Sequence, residues 1–276
     1  MIDISKIDYS TLDRPEVLRF LFHPRPESSI SSFTSDRSDS NEPMKTNAMI
    51  PVEENITIGA RFHMTKKFSG NILFFHGNGE IVADYDDLSA VYNQMGINFL
   101  AVDYRGYGRS GGKPTVTAMM RDCHIIFDFV RQWLLKNNFP GPIVPMGRSL
   151  GSASVLEIAA NYQDLIDGLI IESGFAHAGP LLELLGINLE RLGFKENMGF
   201  RNVDKIRHFR KPTLIIHAEH DHIIPFSDGQ TLYKACPAAN KVFLNIPGAN
   251  HNDIFMRGMQ AYLTAVKRLV ESILAK

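Results

Sequence analysis

The sequence predicts an α/β fold whose central sheet is mostly parallel and is covered by helices on both faces. Two observations predict this fold. From residue 71 onward, short apolar runs alternate with longer segments of helical apolar spacing, as strands and helices alternate in a parallel sheet. In addition, residues 147–151 have the G-x-S-x-G pattern, which holds a serine on a tight turn between a strand and a helix. A chain of 276 residues, 44% of them hydrophobic, can build the large core that such a fold needs.

The amino-terminal part of the chain is predicted to form an arm, residues 1–49, ahead of the main domain, residues 50–276. Apolar side chains at helical spacing predict a short helix over residues 14–22. Residues 24–47 contain many Ser, Asp, Asn and Pro residues and few large apolar ones, which favours a loop or mobile arm.

Regular secondary structure is predicted from residue 50 onward. Two alternating runs favour a hairpin that turns at Glu54 and Asn55. The later strands are short apolar runs, and the helices are longer segments with apolar residues on one face. The predicted strands span residues 50–54, 56–63, 71–75, 97–102, 142–146, 168–171, 213–217 and 241–246. The predicted helices span residues 81–95, 115–136, 152–160 and 252–275.

Two features interrupt this regular pattern. Pro145 lies in a predicted central strand and lacks the N–H that a ladder needs, so we expect a local bulge or a gap opposite its nitrogen. Residues 175–205, between two of the predicted strands, break the alternation. Their position on the side of the G-x-S-x-G turn predicts a small cap over the carboxyl ends of the strands.

Charge and hydropathy argue against several kinds of partner. The formal net charge is −1 and no basic stripe is present, so neither nucleic acid nor an anionic membrane surface is expected to bind. Residues 1–22 mix charged and apolar side chains and lack the uninterrupted apolar core of a signal peptide. No stretch has the length of a membrane-spanning helix. We therefore expect a cytoplasmic protein without stable membrane insertion.

No cofactor is expected. The two cysteines, Cys123 and Cys236, fall within apparent helices and imply neither a disulfide framework nor a zinc site. Residues 106–111 match G-x-G-x-x-G, but a dinucleotide site needs those glycines to open directly into a helix. Because residues 112–114 intervene before the next helix, the pattern is not interpreted as a nucleotide site.

Polar residues gather in loops after the predicted strands, where the reacting groups of an open α/β sheet are expected. The four loops span residues 76–79, 103–111, 219–225 and 248–253. Their motifs, in order with the G-x-S-x-G turn, resemble those of the α/β-hydrolase superfamily over residues 50–276. The matching motifs are HGNG at 76–79, D-x-R-G-x-G-x-S at 103–110, the turn at 147–151, the acidic loop around Asp221 and GANH ending at His251.

The resemblance implies an α/β-hydrolase fold and a compact serine hydrolase of the esterase or acyl-thioesterase branch. Membrane-attached members of that branch carry a cysteine-rich amino terminus, whereas this sequence has no cysteine before Cys123, so membrane attachment is not expected.

Serine, acid and histidine occur here in the chain order typical of this motif class. Ser149 is the candidate nucleophile and His251 the base that activates it. Asp221 is expected to hold the second imidazole nitrogen and so fix the tautomer. The backbone N–H groups of Asn78 and Leu150 are the candidate oxyanion hole.

Alternatives exist for each of these assignments. Ser149 could be only a helix N-cap. Glu219 and Glu172 compete with Asp221 for the role of the acid. Four histidines compete with His251, and the three near Asp221 could suggest a metal site, although their spacing suits the acidic loop better. These four are His177, His217, His220 and His222.

Three further charged or polar residues lie in the same loops. Asp103 and Arg105 are predicted to form a structural ion pair, and His76 to shape its loop through its own hydrogen bonds. Arg148, beside the serine, could contact a substrate carboxylate, solvent or the surrounding loop.

The function predicted from the sequence is a serine hydrolase that cleaves a carboxylic ester or thioester of a small-molecule acyl substrate through an acyl-enzyme. The Leu- and Phe-rich residues 181–200 could line an acyl pocket, or they could simply dock the cap onto the core. An amidase or peptidase with the same triad and a non-catalytic ligand-binding protein on a hydrolase scaffold are the alternatives, because a fold does not determine the reaction.

Overall fold

A computed structural model describes residues 2–28 and 44–275 of the chain. Within these residues, eight strands form one sheet and α-helices connect them. The strands are β1 Met44–Glu53, β2 Ile56–Met64, β3 Asn71–Phe75, β4 Asn98–Val102, β5 Ile143–Arg148, β6 Leu169–Glu172, β7 Thr213–Ala218 and β8 Lys241–Ile246. The helices are α1 Pro15–Leu21, α2 Asp86–Gln94, α3 Val116–Lys136, α4 Gly151–Asn161, α5 Ala178–Leu184, α6 Leu189–Leu192, α7 Asn202–Ile206, α8 Phe226–Ala235 and α9 Ile254–Leu274.

The strands lie in the order β1-β2-β4-β3-β5-β6-β7-β8. The pairs β1/β2 and β2/β4 are antiparallel, and every other neighbouring pair is parallel. The predicted mostly parallel sheet is therefore confirmed.

Helices cover both faces of the sheet, as predicted. Successive residues of β3 point to opposite faces. Leu73 and Phe75 join an apolar cluster with α3 and α4, whereas Ile72 and Phe74 join a second cluster with α2 and α9. This double coverage explains why every residue of β3 is buried and why its sequence is almost continuously apolar. Across the two described stretches, no helix is both long and apolar enough to cross a membrane.

One predicted boundary is wrong. β1 begins at Met44, so residues 44–47 belong to a strand, although their composition predicted a loop. The strand extends because Met44 pairs with Met64 at the far end of β2, a partner that local composition cannot indicate. Residues 29–43, the rest of that predicted loop, lie outside the described residues.

Pro145 occupies a central strand without interrupting it. The register between β3 and β5 is continuous through Pro145, so no bulge forms there. Pairing between β5 and β6 begins at Met146. The proline therefore stands just before the β6 ladder, where a missing N–H costs no strand-to-strand bond, as expected of a gap opposite its nitrogen.

The amino-terminal segment packs into the core. Leu12, Val17 and Leu21 are almost completely buried against the α3 face of the sheet. The Asp13 carboxylate also accepts a 2.7 Å hydrogen bond from the N–H of Val116, one of the free donors at the start of α3. Residues before position 50 thus contribute to the same core as the sheet, while the division at 49/50 stays a prediction.

A buried polar cluster joins the amino-terminal segment to α3, α4 and α7. Lys205 lies 2.7 Å from Glu157 and 3.4 Å from the Tyr9 hydroxyl. Glu157 also lies 3.2 Å from the Nε2 of His124. Burial by itself raises the pKa of Glu157, but the His124 hydrogen bond and the Lys205 charge outweigh it and lower the pKa to about 2. The carboxylate is therefore stabilised by folding.

This lowered pKa predicts an acid-dependent contribution to stability. A carboxyl group whose pKa falls on folding stabilises the protein above its unfolded pKa, near 4.3, and that stabilisation is lost as the pH falls through the folded value. We expect Glu157→Gln to lower the free energy of unfolding by roughly 2–3 kcal/mol at neutral pH. The difference from wild type should shrink as the pH falls below about 4.

Urea unfolding at a series of pH values measures this difference. Glu271→Gln is the matched control, because Glu271 is exposed and paired only at 3.7 Å with Lys267. Its effect should be small at every pH. If the loss in free energy of unfolding in Glu157→Gln were constant from neutral to acidic pH, the charged Glu157 carboxylate would not be its cause.

Candidate active site

Ser149 lies on a sharp turn between β5 and α4. Its backbone φ is 51°, in the left-handed region that residues with side chains rarely adopt. Its N–H donates a 2.8 Å hydrogen bond to the carbonyl of Glu172. A Cβ on Gly151 would lie 2.1 Å from the Phe75 carbonyl oxygen, and a Cβ on Gly147 would lie 2.4 Å from the carbonyl oxygen of Gly151. The strand, turn and helix that the motif requires are all present, and both glycines are sterically necessary.

Adding a single methyl group at this turn should therefore destabilise the folded protein. In Gly151→Ala the new Cβ would overlap the backbone of β3, which cannot move without disturbing the sheet. We expect a loss of about 3 kcal/mol in the free energy of unfolding, measured in urea. Gly111→Ala is the control, because its Cβ would meet Thr57 only at 3.9 Å. Equal stability of the two variants would show that the turn is not tightly constrained.

The structure brings the predicted serine, histidine and acid together. The Ser149 Oγ lies 3.1 Å from the Nε2 of His251, and the Nδ1 of His251 lies 2.7 Å from the Oδ2 of Asp221. The three residues come from the loops after β5, β8 and β7. The Asp221 side chain is fully buried and that of His251 is 6% exposed. Each contact is short enough for a hydrogen bond, so a continuous chain of hydrogen bonds joins the hydroxyl to the carboxylate.

The Asp221 carboxylate is held in its charged form. Its Oδ1 accepts hydrogen bonds from the N–H groups of Ile223, at 3.0 Å, and Ile224, at 2.8 Å. Burial by itself raises the pKa of Asp221, but the His251 hydrogen bond, the His251 charge and these two N–H groups together lower it below its ordinary value. The carboxylate therefore faces the imidazole as an anion and can stabilise a positive charge there.

The other candidate histidines do not reach Ser149. The Nε2 of His217 lies 2.9 Å from the carbonyl oxygen of Ile224 and 3.7 Å from Asp221. Burial lowers the pKa of His217, which favours its neutral form. Among residues 2–28 and 44–275, no three His, Cys, Asp or Glu side chains form a group that could hold a metal ion. The remaining candidates lie at the surface: His177, His220 and His222.

The other candidate acids bind elsewhere. Glu219 is 43% exposed and accepts a 2.8 Å hydrogen bond from the N–H of Gly248. Glu172 is buried, but its two oxygens are bound to Arg148, at 2.9 Å, and to the Tyr262 hydroxyl, at 2.6 Å. Of the three acids, Asp221 is the one in contact with the His251 ring.

The candidate oxyanion donors belong to two loops on either side of Ser149. In the part of the chain that the structure describes, the N–H groups of Asn78 and Leu150 donate to no protein acceptor. Both polar atoms of the Asn78 side chain have partners: its Oδ1 accepts hydrogen bonds from the His23 N–H and the Tyr107 hydroxyl, both at 2.7 Å, and its Nδ2 lies 2.8 Å from the Nδ1 of His23. These contacts hold the loop while leaving its backbone N–H available.

The partner of this loop is a short amino-terminal segment, residues 23–27, called here the strap. Arg25 donates a 2.8 Å hydrogen bond to the Gly79 carbonyl and forms an ion pair with Asp84. Its own carbonyl accepts a 2.9 Å hydrogen bond from the N–H of Gly108. Sequence reasoning assigned the strap no role beyond a loop, because the partners of His23 and Arg25 lie more than fifty residues away and no local pattern indicates them.

His76 shapes its loop as predicted, but the predicted pairing of Asp103 with Arg105 is wrong. The Nε2 of His76 lies 3.2 Å from Asp103 and its Nδ1 faces a backbone carbonyl. Burial lowers the pKa of His76, but these contacts with acceptors more than offset it and the pKa is raised. Arg105 instead binds Asp122, at 2.7 Å, and Glu53, at 2.6 Å. Asp103 turns into the core and Arg105 turns outward toward α3, so the two side chains diverge.

Arg148 also has a protein partner and does not face open solvent. Its side chain is 11% exposed. It donates hydrogen bonds to Glu80, at 2.8 Å, to Glu172, at 2.9 Å, and to the carbonyl oxygen of His251, at 3.1 Å. Of the possibilities left open by the sequence, contact with the surrounding loops is the one observed. Glu80 was missed by sequence reasoning, although it directly follows the HGNG motif.

Comparison with known proteins identifies relatives of this chain. Residues 66–192 match the family described as "Serine aminopeptidase, S33" (Hydrolase_4). A Homo sapiens protein described as "Alpha/beta hydrolase domain-containing protein 17B" is 30% identical in an alignment of 213 positions that covers 72% of this chain and 65% of the human protein. The chain thus spans less than two thirds of the length of this curated relative.

Solved structures give a second comparison. Est1E from Butyrivibrio proteoclasticus, with bound ferulic acid, has a TM-score of 0.67 and 22% identity, over 83% of this chain and 100% of that one. The Pyrococcus furiosus esterase Pf2001 has a TM-score of 0.67 and 16% identity, over 90% of this chain and 99% of that one. At these identities the likeness establishes a shared fold and leaves the reaction open.

Proposed function

Because the chain belongs to the α/β-hydrolase superfamily, we propose that it is a serine hydrolase that cleaves a carboxylic ester or thioester through an acyl-enzyme. The observation that carries this proposal is the path from the Ser149 hydroxyl through His251 to Asp221, with distances of 3.1 and 2.7 Å. A serine hydroxyl is a weak nucleophile by itself and needs an adjacent base, which this arrangement supplies.

In the first half of the reaction, Ser149 attacks the carbonyl carbon of the substrate. Its proton passes to the Nε2 of His251, a bond forms between the Ser149 Oγ and the carbon, and the carbonyl oxygen becomes an oxyanion. Asp221 accepts a hydrogen bond from the Nδ1 of His251, which keeps the Nε2 free to take the proton and stabilises the imidazolium. The pKa of Asp221, lowered despite its burial, supports its role as the anion in this step.

The oxyanion needs donors that are already in place. The backbone N–H groups of Leu150 and Asn78 are unused by other groups among the described residues, which suits them to this role. Leu150 also precedes the first turn of α4, so the positive end of the helix dipole adds to the stabilisation.

Loss of the leaving group completes the first half of the reaction, and attack of water makes up the second half. The protonated His251 gives its proton to the leaving alcohol or thiol as the bond to the carbonyl carbon breaks. In the second half, His251 takes a proton from a water molecule, whose oxygen forms a bond to the acyl carbon. The protonated His251 then gives that proton to the Ser149 Oγ as the bond between this oxygen and the acyl carbon breaks, which releases the acid and free Ser149.

Esters and thioesters are proposed ahead of amides because the motifs of the sequence resemble those of the esterase and acyl-thioesterase branch of the superfamily. The matched family, whose description names a serine aminopeptidase, favours a second candidate, an amidase or peptidase with the same three residues. The predicted cap adds little to this choice, because Leu182, Leu192 and Phe200 are buried in the core. Those side chains dock the segment, so they are not counted as acyl-binding residues.

Labelling with a fluorophosphonate probe tests the proposal. The probe should react with the wild-type protein and not with Ser149→Ala. Failure to label either protein would favour the alternative of a non-catalytic binding protein. Rates on p-nitrophenyl esters, acyl-CoA thioesters and aminoacyl anilides of matched acyl groups then separate the reaction classes. Faster turnover of the anilides would replace the esterase proposal by the peptidase one.

A further inference from the structure

The guanidinium group of Arg148 occupies a place that the reaction scheme above does not use. Arg148 directly precedes Ser149, yet its side chain turns away from solvent into the protein. Its three hydrogen bonds end on Glu80, Glu172 and the backbone carbonyl of His251, at 2.8, 2.9 and 3.1 Å. A planar guanidinium can serve three acceptors in fixed directions, which the ammonium group of a lysine cannot do in the same way.

Glu80 extends this arrangement to the candidate oxyanion loop. Its Oε1 accepts the Arg148 hydrogen bond, while its Oε2 accepts one from the Gly77 N–H at 2.6 Å and one from the Tyr85 hydroxyl at 2.5 Å. The residue next to Gly77 is Asn78, whose N–H is the candidate oxyanion donor. A shift of the Glu80 carboxylate would therefore move the loop that carries this donor.

Glu172 connects the hydrogen bonds of Arg148 to the sheet and to the terminal helix, α9. The Glu172 side chain binds Arg148 and the Tyr262 hydroxyl of α9, and its backbone carbonyl accepts the N–H of Ser149. The guanidinium is thus the common partner of the residues around all three working parts of the proposed site: the serine turn, the oxyanion loop and the histidine loop.

Charge strengthens the arrangement. Two carboxylates share one guanidinium in a space with little access to water, so each would be unstable there without it. Burial raises the pKa of Glu80, but the Arg148 charge and the Tyr85 hydrogen bond more than offset this and lower it. The two carboxylates and the cation form a unit, and removal of the cation would leave like charges facing each other.

We infer that Arg148 is a positioning residue, which sets the geometry of the oxyanion loop and of His251 relative to Ser149. The inference rests on the proposed function, because it assigns Arg148 a role in that same site. The group of Arg148, Glu80, Glu172, Tyr85 and Tyr262 is called here the Arg148 network.

The first test is Arg148→Lys, which keeps the charge and loses the three-way hydrogen bonding. We expect kcat on a p-nitrophenyl ester to fall by about tenfold to a hundredfold, because small displacements of reacting groups have effects of that size. KM should change by less than about threefold, since binding of the substrate in its ground state does not depend on the oxyanion donors. Arg105→Lys is the matched control: Arg105 is also a largely buried arginine in an ion pair, with Asp122, but it contacts none of the three loops. We expect Arg105→Lys to lose about as much thermal stability as Arg148→Lys but to keep the wild-type kcat.

A second readout separates positioning from general loss of structure. A trifluoromethyl ketone adds to the serine of such an enzyme and forms a tetrahedral oxyanion, so its affinity reports the geometry of the oxyanion hole. Its inhibition constant should rise in Arg148→Lys by the same factor as kcat/KM falls.

Tyr85→Phe and Tyr262→Phe each remove one hydroxyl from a carboxylate of the Arg148 network and keep the ring, so they test the inference if Arg148→Lys does not fold. Each should lower kcat by about threefold or more.

The outcomes are distinguishable from failure of the proposed function. If Ser149→Ala keeps the activity, the proposed function is wrong. If Ser149→Ala is inactive while Arg148→Lys has wild-type kcat and wild-type affinity for the ketone, the inference about Arg148 is overturned and the proposed function stands. Wild-type kcat in both tyrosine variants overturns the inference in the same way.

Discussion

Ser149→Ala is expected to lower kcat on a p-nitrophenyl ester by about a millionfold, the size of effect seen when the nucleophile of a comparable triad is removed. The loss is so large because the hydroxyl, the imidazole and the carboxylate act as one unit, so that deleting the nucleophile also makes the other two useless. Residual acceleration over water should remain, since the backbone donors at Asn78 and Leu150 are untouched. Steady-state and burst kinetics with purified protein measure both effects.

Ser152→Ala is the matched control for this prediction. Ser152 is the second residue of α4 and is buried, and its Oγ has no hydrogen-bond partner among the residues that the structure describes. Ser152→Ala removes a serine Oγ, as Ser149→Ala does, but at a position away from His251. Its kcat should stay within about twofold of wild type, because it belongs to no proton path. A Ser149→Ala protein with more than about one percent of wild-type activity would mean that another group is the nucleophile.

Asp221→Asn is expected to have the second largest effect, a fall of about ten-thousandfold in kcat at neutral pH. An asparagine can still accept the N–H groups of Ile223 and Ile224, so the loop should keep its shape. Its amide NH2 would face the Nδ1 of His251 as a donor, which forces the imidazole into the tautomer that cannot accept the Ser149 proton.

The pH dependence of this variant carries additional information. Because the pKa of Asp221 is lowered in the folded protein, its carboxylate stays charged throughout the range in which the enzyme is assayed, and its contribution is lost only at acidic pH. We therefore expect the deficit of Asp221→Asn to be nearly constant from neutral pH upward, unless hydroxide begins to replace the base. Stability of the variant, measured in urea, shows whether the fold persists.

Glu219→Gln tests the competing acid with the same chemical change. Glu219 lies in the same loop but is 43% exposed, and it binds the N–H of Gly248. Its kcat should remain within about threefold of wild type. If Glu219→Gln were the more damaging substitution, the role proposed for Asp221 would pass to Glu219.

Local patterns were sufficient for much of the fold. The strand at 71–75 has the predicted bounds, because a strand buried on both faces needs a continuous apolar run wherever it stands. The strand at 241–246 also has the predicted bounds, although it lies at the edge of the sheet and is only partly buried. The turn at Ser149 followed from its glycines, since only residues without a Cβ fit against the backbone of β3 and of the turn itself. β1 was misplaced at its start because an exposed edge strand has no such apolar signature.

The residues of the candidate site also divide into those that local patterns could identify and those that they could not. Ser149, Asp221 and His251 could be chosen from their motifs and chain order, and the structure places them within hydrogen-bond distance. The pairing of Arg148 could not be chosen, because an arginine beside the serine serves solvent, substrate or protein equally well on sequence grounds. Glu80 and the strap were missed for a related reason: neither belongs to a motif with a known spacing.

The amino-acid sequence by itself determined which elements form and in which order, because hydrophobic periodicity and glycine sterics act between near neighbours in the chain. Tertiary structure alone decided which charged groups meet. Arg105 could have paired with Asp103 but binds Asp122, and the His23 N–H reaches Asn78 across more than fifty residues. Such partners depend on how distant segments pack and on which buried polar group most needs a hydrogen bond, and neither quantity is contained in any local stretch of the chain.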